Sequence, residues 1–185
     1  INGFGRIGRN VFKIAIKQKN LEIVGINDLT DSKTLAHLLK YDSVHGKFDG
    51  TIQADDKGIT VNGTHIPIFA IKNPKDLPWK TLNVDVAIEA TGIFTSDYSD
   101  RGGYMDHIDA GAKKVILTVP AKSKITTVVL GVNDEVIQSD INAYSNASCT
   151  TNCLAPVAKV LHENFKIVKG FMSTVHAFTN DQRIL

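Results

Sequence analysis

The chain opens with Ile1-Asn2-Gly3-Phe4-Gly5-Arg6-Ile7-Gly8, in which three glycines have the spacing G-x-G-x-x-G. The first glycine permits a tight turn, the second lets backbone N–H groups approach a pyrophosphate, and the third lets a helix pack closely on a strand. The N-terminus of that helix then points its positive end at the phosphates. Glycine-rich turns are common, so the pattern gains weight from its context. Residues 1–3 have the character of the end of a strand whose beginning is missing, and residues 10–18 have helical periodicity.

An acidic residue follows the glycines at the distance that dinucleotide-binding units use. Asp28 lies twenty residues after Gly8, at the end of the second predicted strand. A carboxylate there can accept hydrogen bonds from the ribose of an adenosine, and it repels the 2′-phosphate of NADP. Asp28 therefore favours NAD, unless a basic residue from elsewhere compensates the charge. The alternative is a cluster of turn glycines beside an unrelated loop aspartate.

Helices and strands are predicted to alternate along most of the chain, which indicates an α/β fold with a doubly wound, mostly parallel sheet. Residues 51–71 insert an antiparallel excursion, broken by Asp56-Lys57-Gly58 and by the hairpin signal Asn62-Gly63. Pro156 removes a backbone donor within the last predicted helix, so this helix either bends there or is shorter than predicted. The predicted strands are 21–26, 84–90, 114–118, 126–130, 141–145 and 167–176. Two of the predicted helices are 10–18 and 148–164. A further helix starts near Thr30-Asp31-Ser32 and buries Leu35, Leu38 and Leu39, and another ends at Gly111.

Two further segments fall at the carboxyl ends of predicted strands, where open α/β sheets bind ligands. Thr91-Gly92 follows strand 84–90, and Thr118 ends strand 114–118. Their placement alone makes them candidates, because such residues more often shape turns than bind ligands.

Composition argues against several functional classes. The 185 residues are 43% hydrophobic and 22% charged, as in ordinary globular domains, and 21 Lys and Arg against 19 Asp and Glu give a net charge of +2. This balance lacks the basic footprint of a nucleic-acid-binding protein. The sequence shows no apolar run near the roughly 20 residues of a membrane span and no secretory signal pattern. We therefore expect a cytoplasmic protein that associates with neither nucleic acid nor membrane.

Cys149 is the candidate nucleophile. It lies in Ser145-Asn146-Ala147-Ser148-Cys149-Thr150, directly after a predicted strand and in the first turn of the last predicted helix. The positive end of a helix dipole stabilises a thiolate, and an adjacent imidazolium would add to that effect. The backbone N–H groups at the same helix start can also hold an oxyanion.

The second cysteine, Cys153, lies one turn further along, beside Leu154, and is expected to be packed and unreactive. Two cysteines four residues apart on one helix cannot staple distant segments, which fits a reducing compartment better than a secreted disulfide framework. A zinc site is also a poor interpretation, because no histidine stands at ligand spacing. We expect no bound metal.

His176 is the candidate partner of the thiol. It stands twenty-seven residues after Cys149, at the end of a predicted strand that can run back beside the start of the helix. By default, a histidine at a strand end is a structural or solvent-facing residue, so spacing leaves both roles open. The other histidines have no such relation to a nucleophile and are expected to be structural: His37, His45, His65, His107 and His162.

These features occur together in one known family. The chain resembles the glyceraldehyde-3-phosphate dehydrogenase family over its whole length and covers a little more than half of a full-length member. The motifs that carry the resemblance are INGFGRIGR (residues 1–9), NDLTD (27–31), LLKYDSVHG (38–46), PAK (120–122), SNASCTTNCLAP (145–156) and VHAFTNDQRI (175–184).

The resemblance implies a Rossmann-type NAD-binding domain over residues 1–147, lacking the start of its first strand. The first helix and strand of an α+β catalytic domain would then occupy residues 148–185. It also implies an NAD-dependent phosphorylating aldehyde dehydrogenase of glycolysis, which converts glyceraldehyde 3-phosphate and inorganic phosphate to 1,3-bisphosphoglycerate. In that reaction Cys149 forms a hemithioacetal and then a thioester, while His176 activates the thiol and acts as base. Full-length members are usually homotetramers, and a fragment alone is expected to be inactive.

The resemblance further implies roles for individual binding residues. On the cofactor side, Gly3 and Gly5 shape the phosphate-binding turn, and Arg6 and Ile7 contact the pyrophosphate through backbone N–H groups. Asp28 would bind the adenosine ribose. The remaining positions that the resemblance assigns are Lys72 and Thr118 for the cofactor, and Ser148, Cys149, Thr150 and Thr179 for substrate or inorganic phosphate.

A few positions depart from the family pattern. Lys72 stands where many members have arginine, Val119 stands where alanine is common, and Arg101-Gly102-Gly103-Tyr104 has the character of a small insertion. None of these positions belongs to the predicted chemistry. Two alternative functions stay open: erythrose-4-phosphate dehydrogenase, which shares the nucleotide turn, the thiol and the histidine, and a noncatalytic nucleotide-binding module.

Overall fold

The computed structural model describes residues 1–179. Two short 3-10 helices, Pro74–Asp76 and Asp134–Val136, accompany the regular elements. Within the described range the helices are α1 (Arg6–Ala15), α2 (Ser32–Lys40), α3 (Asp106–Asp109) and α4 (Cys149–Phe165), and the strands are β1 (Ile26–Asn27), β2 (Ile52–Ala54), β3 (Gly58–Val61), β4 (Thr64–Phe69), β5 (Val86–Glu89), β6 (Lys114–Leu117), β7 (Thr126–Thr127) and β8 (Ala143–Ser145).

The start of the chain joins two groups of strands into one sheet. Asn2 forms parallel bridges with Asn27 of β1 on one side and with Glu89 of β5 on the other. Its backbone N–H donates to the carbonyl oxygen of Ile88, and its carbonyl oxygen accepts from the N–H of Ala90, both at 2.8 Å. The strand order is therefore β7-β8-β6-β5, the Asn2 segment, and then β1-β4-β3-β2. The order reverses at Asn2, and doubly wound sheets bind nucleotides at such a point.

The sheet is mostly parallel, as predicted. The pairs β1 with β4, β5 with β6, β6 with β8 and β7 with β8 are parallel, whereas β2, β3 and β4 form an antiparallel meander. The β3–β4 turn is Asn62-Gly63, whose φ angles of 51° and 86° are both positive, as a tight two-residue hairpin turn requires. The doubly wound fold and the antiparallel excursion of residues 51–71 are both confirmed.

Two apolar clusters hold the helices against the sheet. In the first cluster Phe4 and Phe12 meet edge to face, with ring centroids 5.4 Å apart, and α2 adds Leu35 and Leu39. The second cluster surrounds Trp79 and includes residues of β5, β6 and β8. Leu38, which was predicted to share the buried face of α2, is 38% exposed. Within about one turn of this helix, two leucines are buried and the one that lies between them in the sequence borders solvent.

Several elements differ in their bounds from the predictions. Helix α1 begins at Arg6 rather than at residue 10, because the helix starts immediately after the glycine turn, and it ends at Ala15. The second strand is only Ile26–Asn27, since only these residues pair with β4. Strand 126–130 is reduced to Thr126–Thr127, and the helical stretch before Gly111 to Asp106–Asp109.

Helix α4 is continuous from Cys149 to Phe165 and runs through Pro156. The proline removes one internal N–H donor, at a cost of about 3 kcal/mol, so other contacts must hold the helix. Lys159 supplies one of them, because its Nζ donates to the carbonyl oxygens of Gly131 at 2.9 Å and Val132 at 3.1 Å. These bonds tie the middle of α4 to the loop that follows β7.

Residues 166–179 follow α4 outside any helix or strand. The strand predicted for residues 167–176 is therefore not found, because a strand needs a hydrogen-bonded neighbour and no described residue pairs with this segment. Residues 180–185, which include the end of the last quoted motif, lie outside the described residues.

Candidate functional site

A cleft of about 300 Å³ opens at the carboxyl ends of the central strands, beside the point where the strand order reverses. It brings together five of the candidate residues, although these come from four separate segments of the chain. The candidates that line it are Gly3, Gly5, Asp28, Lys72 and Thr91.

Close contacts require two of the three glycines of the turn, and the third borders open space. Gly3 has a φ of 86°, and a Cβ there would lie 2.7 Å from the backbone nitrogen of Thr91. A Cβ on Gly8 would lie 2.0 Å from the carbonyl oxygen of Gly3, so helix and turn touch directly. A Cβ on Gly5, by contrast, would meet nothing within 4 Å. Gly5 is the N-cap of α1 and gives its first turn no side-chain hydrogen bond. The turn therefore presents open backbone N–H groups to a free space, which fits a pyrophosphate.

Asp28 holds the glycine turn as well as lining the cleft. Its Oδ2 accepts from the backbone N–H of Phe4 at 2.7 Å, and its Oδ1 accepts from the N–H of Thr30 at 2.9 Å. Each carboxylate oxygen can accept a further hydrogen bond, so the side chain can serve a ribose at the same time. Its predicted contact with the ribose stays a prediction, and sequence reasoning missed this structural role.

Arg6 and Ile7 form the first turn of α1, and both are exposed. The guanidinium of Arg6 is directed to Asp42, with Nη1 3.4 Å from Oδ1. The backbone N–H groups of these two residues stand at the start of the helix, and their predicted contact with the pyrophosphate stays a prediction.

Thr118 and Gly92 lie outside the lining of the cleft. Thr118 follows β6, where its backbone N–H and its hydroxyl both donate to the carbonyl oxygen of Glu89, at 3.0 and 3.2 Å. The structure thus gives Thr118 a role in joining β6 to β5. Its predicted contact with the cofactor stays a prediction.

The turn between β8 and α4 places the candidate nucleophile. Ala147 has a left-handed φ of 58°, which is unusual for a residue with a Cβ. Its backbone N–H donates to Ser145 Oγ at 3.1 Å. From the first turn of the helix, Asn152 Nδ2 donates back to the carbonyl oxygens of Asn146 at 2.7 Å and Ser148 at 3.0 Å. The turn is therefore clamped from both sides.

Ser148 caps α4, since its Oγ accepts from the backbone N–H of Thr151 at 3.0 Å. Cys149 is consequently the first residue of the helix and is exposed. Its sulfur lies 3.2 Å from Nε2 of His176. The structure brings together these two residues, which the sequence separates by twenty-seven positions.

The tautomer of His176 follows from its second nitrogen. Nδ1 lies 2.6 Å from the carbonyl oxygen of Ala177. A carbonyl only accepts, so Nδ1 carries a hydrogen and the lone pair of neutral Nε2 faces the sulfur. The hydrogen bond with His176 lowers the pKa of the Cys149 thiol below its ordinary value, and the hydroxyl and backbone N–H of Thr150 contribute in the same direction. The arrangement can generate a thiolate beside an imidazolium.

The remaining candidates near the thiol have different surroundings. Ser148 and Thr150 flank Cys149, and Thr179 is exposed at the end of the described range. Cys153 is also exposed, so the prediction that it is packed is wrong. The described part of the chain leaves that side of α4 open, and a periodic pattern cannot show whether an apolar helix face has a partner.

Sequence reasoning missed most of the floor of the cleft. Asn2 and Asn27 precede the glycine turn and Asp28, and both side chains are buried. Polar residues next to a motif, inside otherwise apolar strands, are the signal that could have found them. The other lining residues that were not predicted are Leu29, Ile71, Ala90, Ile93 and Phe94.

A glycine turn at the point where a parallel sheet reverses its strand order is typical of α/β proteins that bind dinucleotides, and this chain also pairs a cysteine with a histidine at the start of a helix. Residues 1–97 match the family described as glyceraldehyde 3-phosphate dehydrogenase, NAD binding domain, and residues 148–185 match the C-terminal domain of the same enzyme family. The chain belongs to the glyceraldehyde 3-phosphate dehydrogenase family. Its cofactor type is NAD, as the sequence predicts.

Curated relatives with the name of this enzyme family align with the whole chain. Glyceraldehyde-3-phosphate dehydrogenase of Borreliella burgdorferi is 65% identical over 100% of this chain and 55% of its own length. The enzymes of that name from Geobacillus stearothermophilus and Thermotoga maritima are each 54% identical over 100% of this chain, and over 54% and 55% of their own lengths. The chain thus spans about half the length of these relatives.

None of the helices within residues 1–179 has the length and apolar character needed to cross a bilayer. In the same range, no three His, Cys, Asp or Glu side chains gather as potential metal ligands.

Proposed function

We propose that this chain is the nucleotide-binding and thiol-bearing part of an NAD-dependent dehydrogenase that oxidises and phosphorylates glyceraldehyde 3-phosphate. The observation that carries the proposal is the 3.2 Å contact between Cys149 Sγ and His176 Nε2 at the start of α4. A domain boundary between residues 147 and 148 is part of the proposal, because the helix that bears the thiol begins there. Glycolysis, the cytoplasm and a homotetrameric assembly are the setting that membership of this family favours.

The cleft is the proposed NAD site. Its glycine turn leaves open both the space beside Gly5 and the N–H groups of the first turn of α1. The Asp28 carboxylate can accept from the adenosine ribose, and Lys72 borders the same cleft. When bound, NAD supplies the acceptor for the hydride that leaves the substrate carbon. The like charge of Asp28 disfavours a 2′-phosphate, which supports NAD over NADP.

Cys149 acts in this proposal as the nucleophile. His176 Nε2 takes the thiol proton, the thiolate adds to the aldehyde carbon, and the imidazolium returns the proton to the aldehyde oxygen to give a hemithioacetal. His176 then accepts the hydroxyl proton of that adduct as the carbon loses hydride, which leaves a thioester on Cys149. The N–H groups at the start of α4 can stabilise the oxygen of the adduct while it carries negative charge.

Inorganic phosphate completes the proposed reaction. A phosphate oxygen attacks the thioester carbon, the carbon–sulfur bond breaks, and the acyl phosphate leaves with the sulfur returned as thiolate. Ser148 and Thr150 flank the sulfur, and with Thr179 they are the proposed contacts for substrate phosphate or inorganic phosphate. Two steps through a covalent intermediate conserve the energy of the oxidation in the acyl phosphate.

Turnover by the full-length protein tests this proposal and separates it from the alternatives. Reduction of NAD should require both glyceraldehyde 3-phosphate and inorganic phosphate, and Cys149→Ser should abolish it. The matched variant Cys153→Ser should keep most of the activity, because that sulfur has no imidazole partner in the proposed mechanism. Phosphate-independent oxidation of erythrose 4-phosphate as the preferred reaction would reject the proposed substrate, and full activity of Cys149→Ser would reject the nucleophile.

A further inference from the structure

A chain of buried polar side chains lies beneath the nucleotide cleft, and the proposed chemistry does not use it. Glu89 at the end of β5 is 0% exposed, His107 is 0% exposed and Asn2 is 1% exposed. A charged group in such surroundings is retained only if its hydrogen-bonding capacity is satisfied. The hydrogen-bond directions within this group can be worked out from both of its ends.

Trp79 fixes the direction at one end. Its Nε1–H can only donate, and it lies 2.9 Å from Nδ1 of His107. Nδ1 therefore accepts, so the ring proton of neutral His107 sits on Nε2. That Nε2–H donates to Glu89 Oε2 at 2.9 Å.

The backbone of Ile71 fixes the direction at the other end. Its N–H donates to Asn27 Oδ1 and its carbonyl accepts from Asn27 Nδ2, both at 2.9 Å. This sets the orientation of the Asn27 amide, whose Nδ2 also donates to Asn2 Oδ1 at 2.7 Å. The Nδ2 of Asn2 is then the group that faces Glu89 Oε2, at 2.6 Å.

Thr91 supplies the remaining donors. Its backbone N–H donates to Glu89 Oε1 at 2.8 Å, and its hydroxyl donates to the same oxygen. Four donor groups thus converge on Glu89, and only an ionised carboxylate can accept from all of them. An amide in its place would turn an N–H₂ group toward two donors, whichever of its two orientations it took.

The partners of Glu89 belong to the two facing walls of the cleft. Asn2 precedes the glycine turn and Thr91 begins the opposite turn, and both line the cleft. The walls touch where Gly3 meets the backbone of Thr91. We propose that Glu89 is a positioning residue for the cofactor, which holds the Asn2–Gly3 wall and the Thr91 wall at the separation that the dinucleotide requires. This inference rests on the proposed use of NAD.

Glu89→Gln in the full-length protein tests the proposal. The Kd of NAD is measured by calorimetry at a temperature where the protein is fully folded, and KM and kcat are measured beside it. We expect the Kd and the KM for NAD to rise at least about tenfold, since a buried hydrogen bond to a charged group is lost. The kcat should stay within about threefold, because neither Cys149 nor His176 contacts Glu89.

Val115→Ala is the matched control, since Val115 is 0% exposed in the neighbouring strand β6 and has an apolar side chain. It should lower stability and leave the Kd of NAD unchanged. A wild-type Kd in Glu89→Gln overturns the proposal, and so does an equal loss of affinity in both variants. If Glu89→Gln does not fold, His107→Phe takes its place, because it removes one hydrogen-bond donor to Glu89 and keeps the carboxylate. A several-fold rise in the Kd of NAD for His107→Phe supports the proposal, and an unchanged Kd overturns it. A wild-type protein that does not bind NAD rejects the proposed function itself.

Discussion

Replacement of Asp28 separates the structural role of its carboxylate in the glycine turn from its proposed role in cofactor choice. The Oδ2 atom of Asp28 lies 2.7 Å from the backbone nitrogen of Phe4. Asp28→Asn keeps an oxygen that can accept from this N–H, and it removes the negative charge. Loss of a charged acceptor for the ribose costs NAD about 1.5–3 kcal/mol. Removal of the charge also favours NADP by about 1 kcal/mol or more, which is the repulsion between a carboxylate and a 2′-phosphate about 4 Å apart at a solvated site. Together these changes amount to about 3 kcal/mol, or roughly a 100-fold narrowing of the preference for NAD over NADP.

The assay is the ratio of kcat/KM with NAD to that with NADP, measured for the wild type, Asp28→Asn and Asp28→Ala in the full-length protein. Both variants should narrow the ratio. Asp28→Ala should also lower the free energy of unfolding, by about 1–3 kcal/mol and by more than Asp28→Asn, because the N–H groups of Phe4 and Thr30 lose both acceptors whereas the asparagine amide still supplies one. The same ratio in all three proteins would refute the role of Asp28 in cofactor choice.

Three further substitutions test the fold and the turn. Gly3→Ala should abolish NAD binding and destabilise the protein by at least about 1–3 kcal/mol, because the φ of Gly3 is 86° and its Cβ would lie 2.7 Å from the backbone nitrogen of Thr91. Calorimetry measures NAD binding, and denaturant unfolding measures the loss of stability. Wild-type affinity for NAD would contradict the proposed fit of the turn to the cofactor. Leu39→Ala, at a position that is 0% exposed, should cost about 2–5 kcal/mol in denaturant unfolding, and a cost no larger than that of Leu38→Ala would contradict the assigned core. The N–H groups of His45 and Val44, together with Lys13, hold the pKa of Asp42 well below its usual range. The ionised Asp42 carboxylate therefore stabilises the folded protein at a pH above its unfolded-state pKa of about 4, and this stabilisation is lost as the pH falls through the acid range. Asp42→Asn should therefore flatten the acid limb of stability against pH, and parallel acid limbs in the two proteins would contradict this.

The order of elements could be predicted from the sequence because periodicity and turn chemistry are local properties. The hairpin at Asn62-Gly63 and the parallel alternation around it are examples. Element ends were less predictable, since they depend on which backbone groups find a partner. Only Ile26–Asn27 pairs with β4, so the apolar run before it does not become strand, and residues 167–176 have no strand beside them in the described part of the chain.

In the candidate site, too, local features could be predicted from the sequence and long-range contacts could not. The glycine turn and Cys149 are visible in the sequence because each depends on a short motif at the start of a helix. The partnership of Cys149 with His176 depends on how a distant segment returns, which spacing alone does not fix. The role of Glu89 was not predicted at all, because its partners Asn2, Thr91 and His107 become neighbours only when the strands align.

The pH dependence of Cys149 alkylation tests the central claim most directly. It is measured in the full-length protein on a Cys153→Ser background, so that the second exposed thiol of the described chain does not contribute, and it is compared with the same protein carrying His176→Asn. The lowered pKa of Cys149 predicts a midpoint of reactivity below the roughly 8.5 of a free cysteine, because the thiolate is the reactive form. It also predicts that His176→Asn moves the midpoint upward. A midpoint near that of a free cysteine, unchanged by the loss of the imidazole, would contradict the thiol–imidazole pair.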